Sequence, residues 1–292
     1  MSYKSCFATK IKGNKYKIHL WDDKGYSSVE WNYPAYLECD EQEEEYVGLR
    51  KESLKKSFNW DREDKKVHFH DMKAYQRFLV EKYGTNDEPS KSHREVFFDI
   101  EIEMGGALTE EYIRSAPKPV TSIAWWYKQE DKWVILILDE KGQLNHTKSK
   151  NKEIVPFPSE EKLLQAFIIR MREINPDILI GYNSDYFDIP YLYYRMSNLF
   201  GAEIAKLISP IEIVYDQSQW NKDQYLVIAG IESLDYMKLH KKYSFKDEPS
   251  FKLDALGKKY VGLEKIEYAG SLDRLFEEDI HKFIEYNFRD VE

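Results

Sequence analysis

Asp99 and Glu101 stand two residues apart in the run VFFDIEIE, residues 96–103, which otherwise has the residue types of a buried strand. Side chains alternate along a strand, so Val96, Phe98, Ile100 and Ile102 share one face and Phe97, Asp99, Glu101 and Glu103 the other. At the usual rise the Cα atoms of Asp99 and Glu101 are about 6.6 Å apart, with both carboxylates on one side. That suits two divalent cations roughly 3.5–4 Å apart, the spacing used for in-line phosphoryl displacement. Glu103 lies about 13 Å from Asp99 by the same rise and reads as peripheral. In a chain with 52 acids such a pair, taken alone, is an ordinary solvated face.

Two further groups accompany it. In NPDILIGYNSDYFDIPYL, residues 175–192, Asp188 follows a short apolar run at the strand-end position where open α/β sheets present functional groups. Asp185 is the nearby alternative and reads as a loop residue. In YNFRD, Tyr286 and Asp290 are four apart, hence one turn apart on one helix face, where a phenol and a carboxylate can serve one site. No Ser, His and Asp set is evident.

The elements that must hold these residues follow from periodicity. VTSIAWWY and WVILILD, separated by the polar KQEDK, read as antiparallel strands, and DILIGYN as a short buried strand. A helix is expected from Ser159 as N-cap, with Leu163, Leu164, Phe167, Ile168, Met171 and Ile174 at helical spacing, until Asn175–Pro176 stops it. The chain turns helical again from Asp188 to about Leu207, IEIVYD and QYLVIAG resemble a strand pair, and EEDIHKFIEYNFRDVE closes as an amphipathic helix. This order predicts an α/β (α+β) mixed sheet flanked by helices. The turn-rich, apolar-poor GTNDEPSKSHRE, residues 84–95, marks a linker, so the expected domains are 1–95 and 96–292.

At 292 residues and 42% hydrophobic content the chain can bury a sizeable core. Cys6 and Cys39 lack a CxxC partner, which fits a reducing compartment rather than a zinc or disulfide framework. No apolar run approaches a membrane span and the start lacks a signal-peptide core, so no membrane partner and a cytoplasmic protein are expected. The net charge of −9 argues against a generic nucleic-acid coat but not against a nuclease, because bound metals reverse the local sign where a phosphate must sit.

FDIE, GYNSDYFDIPY and YNFRD, in this order, resemble the three exonuclease motifs of family B DNA polymerases. The flanking SLDYMKLHKKYSF, EPSF and KIEYAGSL are similar to the replicative polymerases of T-even type tailed phages. The resemblance covers 96–292 well and 1–95 loosely. It implies an RNase H-like, DEDDy-type 3'–5' exonuclease (proofreading) domain, preceded by a smaller mixed N-terminal domain, in the host cytoplasm of a phage. It further implies two divalent ions, Mg²⁺ or Mn²⁺: Asp99 would bridge them, Glu101 and Asp290 would hold the first and Asp188 would anchor the second. Tyr286 would orient the attacking water, Lys265 would lie near the reacting phosphate or its water, and Asn183 near the primer end. The implied partners are single-stranded DNA or a primer 3' end and a polymerase portion outside this chain. None of SLYPS, NSxYG or DTDS occurs, so the chain is expected not to polymerise DNA itself and to be a piece cut from a longer enzyme or the first piece of a split one. The rival reading is an RNA-binding or assembly module, the RNA contact coming through the N-terminal domain.

Other features have simpler readings. His68 and His70 in VHFH would share a strand face, yet no third or fourth metal ligand is suggested. Trp125 and Trp126 could stack on bases, but on a strand one of them must enter the core. HKKYSFK, residues 240–246, is the clearest basic and aromatic patch; it could track phosphates or simply place cations at a helix C-terminus.

Overall fold

The computed structural model describes residues 2–61, 63–86, 88–244 and 248–292. The chain divides into two compact units, Met1–Ser92 and His93–Glu292. Phe245 and Lys246, the end of the basic patch, lie outside the described residues.

In the first unit β1 (Tyr3–Lys12), β2 (Lys15–Asp22) and β3 (Gly25–Asn32) form an antiparallel meander. A second sheet follows, with β4 (Ala35–Glu38), β5 (Tyr46–Val47), β6 (Ser53–Ser57) and β7 (Val67–His68) in the order β5-β6-β4-β7, then helix α1 (Ala74–Tyr83). The acidic stretch before β5 is solvated, and Glu43 there pairs with Lys55 at 2.5 Å. The expected His68/His70 face does not form. Phe69 takes a left-handed backbone (φ 58°), which ends β7 at His68. His68 then meets Glu38 at 2.9 Å, while His70 packs on the Trp60 ring.

The second unit is built on β8 (Glu95–Ile102), α2 (Glu110–Ser115), β9 (Val120–Tyr127), β10 (Lys132–Leu138), β11 (Thr147–Lys148), β12 (Lys152–Phe157), α3 (Glu160–Ile174) and β13 (Ile178–Gly181). It continues with α4 (Asp188–Phe200), α5 (Ala202–Ala205), β14 (Val214–Asp216), β15 (Leu226–Ile228), β16 (Glu232–Asp235), α6 (Tyr236–Tyr243), α7 (Leu253–Tyr260), α8 (Leu272–Glu278) and α9 (Ile280–Val291). Among the described residues one seven-stranded mixed sheet runs β11-β12-β10-β9-β8-β13-β16. β9 is antiparallel to both β8 and β10; β12 runs parallel to β10, and β13 parallel to β8 and β16. β14 and β15 pair antiparallel as a separate ribbon, as their residue types suggest.

Strand alternation decides which helix each side chain meets. Val96, Phe98, Ile100 and Ile102 of β8 are at most 4% exposed and join Ile123 and Trp125 of β9 under Leu163, Leu164, Phe167 and Met171 of α3 and Leu192 of α4. The opposite face of β9 and β10, Ala124, Ile135 and Ile137, is covered by Phe283, Ile284 and Phe288 of α9. Trp125 is core, whereas Trp126 is partly exposed and stacks on Trp133. Each large apolar side chain so buried contributes about 1.5–3 kcal/mol, so the sheet and its helices are rigid supports for the acids between them.

The stops are local. Asn175 closes α3 in a left-handed conformation (φ 46°), which Asn tolerates, and Pro176 prevents continuation. Ser159 occupies the N-cap as expected, but its side chain makes no capping hydrogen bond to the helix. No helix among the described residues is long and apolar enough to cross a membrane.

Candidate active site

Because Ile100 faces α3 and α4, Asp99 and Glu101 face α9, and Asp99 stands opposite the buried Ala124 in the β8–β9 register. Helix α9 begins at its N-cap Asp279, which accepts from Lys282 N, and its apolar stripe anchors it over β9 and β10. Its last turn then carries Asp290 to the acids of β8. Carboxylate oxygens of Asp99, Glu101 and Asp290 all lie within 4.8 Å of one another. Asp188, 2% exposed at the start of α4, sends Oδ1 to the backbone N–H of Ile100 at 3.2 Å, so it reaches the same strand between the two acids. Glu103 is not in the cluster; it is solvated and pairs with Lys118.

Lys265, in the segment between α7 and α8, donates from Nζ to the Tyr286 hydroxyl at 2.8 Å and to Asp290 Oδ2 at 3.1 Å. Its backbone N–H is held by Asp254 Oδ1 of α7 at 3.1 Å. The Tyr268 ring meets the Tyr286 ring edge-on at 5.5 Å. Asn183 sits in the turn between β13 and α4 with a left-handed backbone (φ 65°), its N–H bonded to Asp235 Oδ1 at 3.1 Å. No contact joins its side chain to the carboxylates among the described residues. Asp185 is a turn residue, bound by Ser233 and by Lys238 Nζ at 2.7 Å.

The electrostatics are those of half-buried acids crowded together. Burial first, then Asp188, Glu101 and Asp290, raise the Asp99 carboxyl well above the usual range. Burial, then Asp290, push Glu101 up to about 8. Burial pushes Asp188 up to about 7, against the pull of the Ile100 N–H. Burial raises Asp290 despite the opposing Lys265 ammonium. Burial works against the Lys265 charge, yet Asp290, Glu101 and Asp99 hold its pKa above the ordinary value. Burial, then Asp290 and Glu101, raise the Tyr286 phenol far up, so it keeps its proton at neutral pH.

This donor set fits a hard divalent cation, being made of oxygens alone. Two unit charges 4.8 Å apart repel by about 3.5 kcal/mol at an effective dielectric of about 20, and one lysine cannot neutralise three such neighbours. A divalent ion among them would remove the repulsion that raises their pKa values.

Two supporting groups escape sequence reasoning. Asp235, 3% exposed, caps α6 through Met237 N and Lys238 N and also accepts from Asn183 N and Asp185 N, clamping the turn that leads to Asp188. Asn287, fully buried, accepts from the Ser122 hydroxyl and donates to Phe283 O at 2.7 Å. Ser122 is the β9 partner of Glu101, so this bond sets α9 against the acid strand. The available signal was a polar pair, Thr121 and Ser122, inside an apolar strand.

Residues 52–256 match the family described as DNA polymerase family B, exonuclease domain. That stretch contains Asp99, Glu101, Asn183 and Asp188 and ends before Lys265, Tyr286 and Asp290. The chain is 34% identical over 140 residues to a DNA-directed DNA polymerase of Escherichia phage RB69, covering 47% of this chain and 16% of that protein. It is 32% identical over 141 residues to the corresponding polymerase of Enterobacteria phage T4, with the same coverage. It is 30% identical over 206 residues to DNA polymerase 1 of Sulfolobus acidocaldarius, covering 68% of this chain and 22% of that protein. The aligned parts thus span between about a sixth and a fifth of these relatives. The mixed sheet flanked by helices agrees with the RNase H-like arrangement that the motifs imply. With the family matched over more than half its length, the chain belongs to the exonuclease-domain family of the family B DNA polymerases.

Proposed function

We propose that this chain is a metal-dependent 3'–5' exonuclease that releases nucleoside monophosphates from DNA 3' ends, as the proofreading part of a larger polymerase. The observation that carries the reading is the convergence of Asp99, Glu101 and Asp290 within 4.8 Å, beside a buried Asp188, in a chain of this family. The unit His93–Glu292 would be the exonuclease domain and Met1–Ser92 the family's smaller N-terminal domain.

Asp99, Glu101, Asp188 and Asp290 would hold two divalent ions, with Asp99 shared. When bound, Mg²⁺ or Mn²⁺ supplies positive charge for the phosphate and acidifies a water, so no nucleophilic side chain is required. Tyr286, protonated at neutral pH, acts by hydrogen bonding and orients the water rather than accepting its proton. Lys265 fixes Tyr286 and Asp290 relative to each other and adds a cation beside the reacting phosphate. Asn183, on the turn before Asp188, would contact the primer end.

The test is incubation of 5'-labelled single-stranded DNA with Mg²⁺ or Mn²⁺. Stepwise shortening from the 3' end is expected, with Asp99→Ala and Asp188→Ala each at least about 100-fold slower. Inertness with both metals, or full activity in either variant, refutes the assignment.

A further inference from the structure

The chain carries a net charge of −9, yet helices α6 and α7 and their flanks present three lysines that meet no acid among the described residues. The acids of this stretch among the described residues are occupied. Glu248 pairs with Lys259 at 2.7 Å and with the Tyr260 hydroxyl, and Asp254 holds Lys265 N. Lys258 pairs with Glu264 at 2.6 Å, and Lys238 with Asp185. Lys241, Lys242 and Lys252 are exposed and have no ion-pair partner among the described residues.

The helix dipole explains cations in the last turn of α6. It does not explain Lys252, which stands at the N-cap of α7, where a positive charge is disfavoured. Nor does it explain the rings. Tyr243 and Tyr260 are 61% and 56% exposed, with Lys242 Nζ 5.2 Å and Lys259 Nζ 5.0 Å from their centroids, and Lys241 Nζ lies 5.2 Å from the Phe251 ring. His240 packs against both Phe251 and Tyr260, which joins the two helices into one surface.

Helices α6 and α7 are tied at three points to the segments that lead to Asp188 and carry Lys265. Tyr182, next to Asn183, donates to Phe251 O; Asp254 holds the backbone of Lys265; and Asp235 caps α6 while binding the Asn183 turn. From Asp254 the helix α7 carries the surface about 9 Å onward to Tyr260.

We propose that the surface of α6 and α7 is a platform for the single-stranded substrate behind its 3' end, with Lys241, Lys242 and Lys252 on phosphates and Tyr243 and Tyr260 on bases. The occupant follows from complementarity: exposed cations interleaved with exposed rings match a polyanion whose repeat alternates phosphate and base. The proposal rests on the nuclease reading for its substrate and extends it to the strand outside the acid cluster.

The test is fluorescence anisotropy of labelled dT16 with the full chain in EDTA, across a salt series. Lys241→Gln/Lys242→Gln keeps the side-chain stems and is expected to weaken binding about tenfold and to make the slope of log K against log salt shallower by about 1.4. Lys252→Gln, which removes an unfavourable cation from a helix N-cap and leaves folding intact, should make it shallower by about 0.7. Tyr243→Ala should weaken binding about fivefold, and Tyr243→Phe should restore it. Unchanged affinity and slope in the lysine variants overturn the proposal, as does polyglutamate competing as well as dT16. Because binding is read without metal, it separates from cleavage: binding through these lysines by a chain that never cuts refutes the nuclease reading alone. Cutting by a chain whose binding ignores these lysines refutes the platform alone.

Discussion

Replacing Glu101 by Gln is expected to stabilise the metal-free protein, and only at neutral to alkaline pH. In the open chain this carboxyl ionises near 4.5, whereas in the fold it keeps its proton up to about 8. Between those values the folded state binds more protons than the unfolded one, so stability falls as pH rises through the window. The full difference corresponds to about 5 kcal/mol, and relaxation with water entry reduces this to ~2–5 kcal/mol. Glutamine cannot ionise and escapes the loss. At pH 5, just inside the window, the variant and the parent should therefore differ by under about 1 kcal/mol. At pH 8.5–9 in EDTA the variant should melt higher, by about 2 °C or more for each kcal/mol. Mg²⁺ or Mn²⁺ should restore the parent at high pH, because a ligand that binds only the folded state adds to its stability, and should restore the variant less. Urea titrations at pH 5, 7 and 9, with and without metal, give the comparison. A Glu101→Gln protein no more stable than its parent at pH 9 would show that the acids are not crowded as described, and would remove the physical basis for the metal site.

Three other outcomes follow from particular contacts. Lys265→Met leaves Tyr286 and Asp290 without their shared ammonium; cleavage should slow about 10–100-fold and its rise with pH should move to higher pH, since Asp290 then holds its proton more tightly. Asn287→Ala strands the buried Ser122 hydroxyl and should cost about 1–3 kcal/mol in urea denaturation, with the double variant Ser122→Ala/Asn287→Ala recovering part of it. Glu153, 1% exposed, is opposed by burial, but Lys132 at 2.9 Å and Arg170 at 3.1 Å hold its pKa below the ordinary value. Its contribution is present above the ordinary carboxylate pKa and lost as pH falls through the depressed value, the reverse of Glu101, so Glu153→Gln should destabilise at pH 7 and converge with the parent in acid.

Local pattern carried much of the second unit. Apolar alternation in residues 96–102 placed Asp99 and Glu101 opposite the α3 core, since a period of two leaves no other arrangement for a strand with one fully buried face. Asn175–Pro176 ended α3 for reasons intrinsic to those two residues. Pattern failed where backbone conformation interrupts it: VHFH reads as continuous strand, but the left-handed Phe69 separates His68 from His70. Ser159 marked the start of α3 without making the side-chain bond that a cap usually makes.

The sequence by itself determined that Asp99 and Glu101 share one face of a strand and that α3 stops at Asn175–Pro176, because these depend on steric preferences and periods spanning a few residues. The tertiary structure alone decided that the α9 stripe packs over β9 and β10, bringing Asp290 to Asp99 and Glu101. It alone set Asp188 against the Ile100 N–H, joined Lys265 to Tyr286, and made Asp235 and Asn287 the clamps of the turn and the helix. Those approaches join residues far apart in the chain and follow from how apolar faces cover one another. The same packing crowds these half-buried acids together, and that crowding turns neighbouring carboxylates into a site whose charge calls for cations.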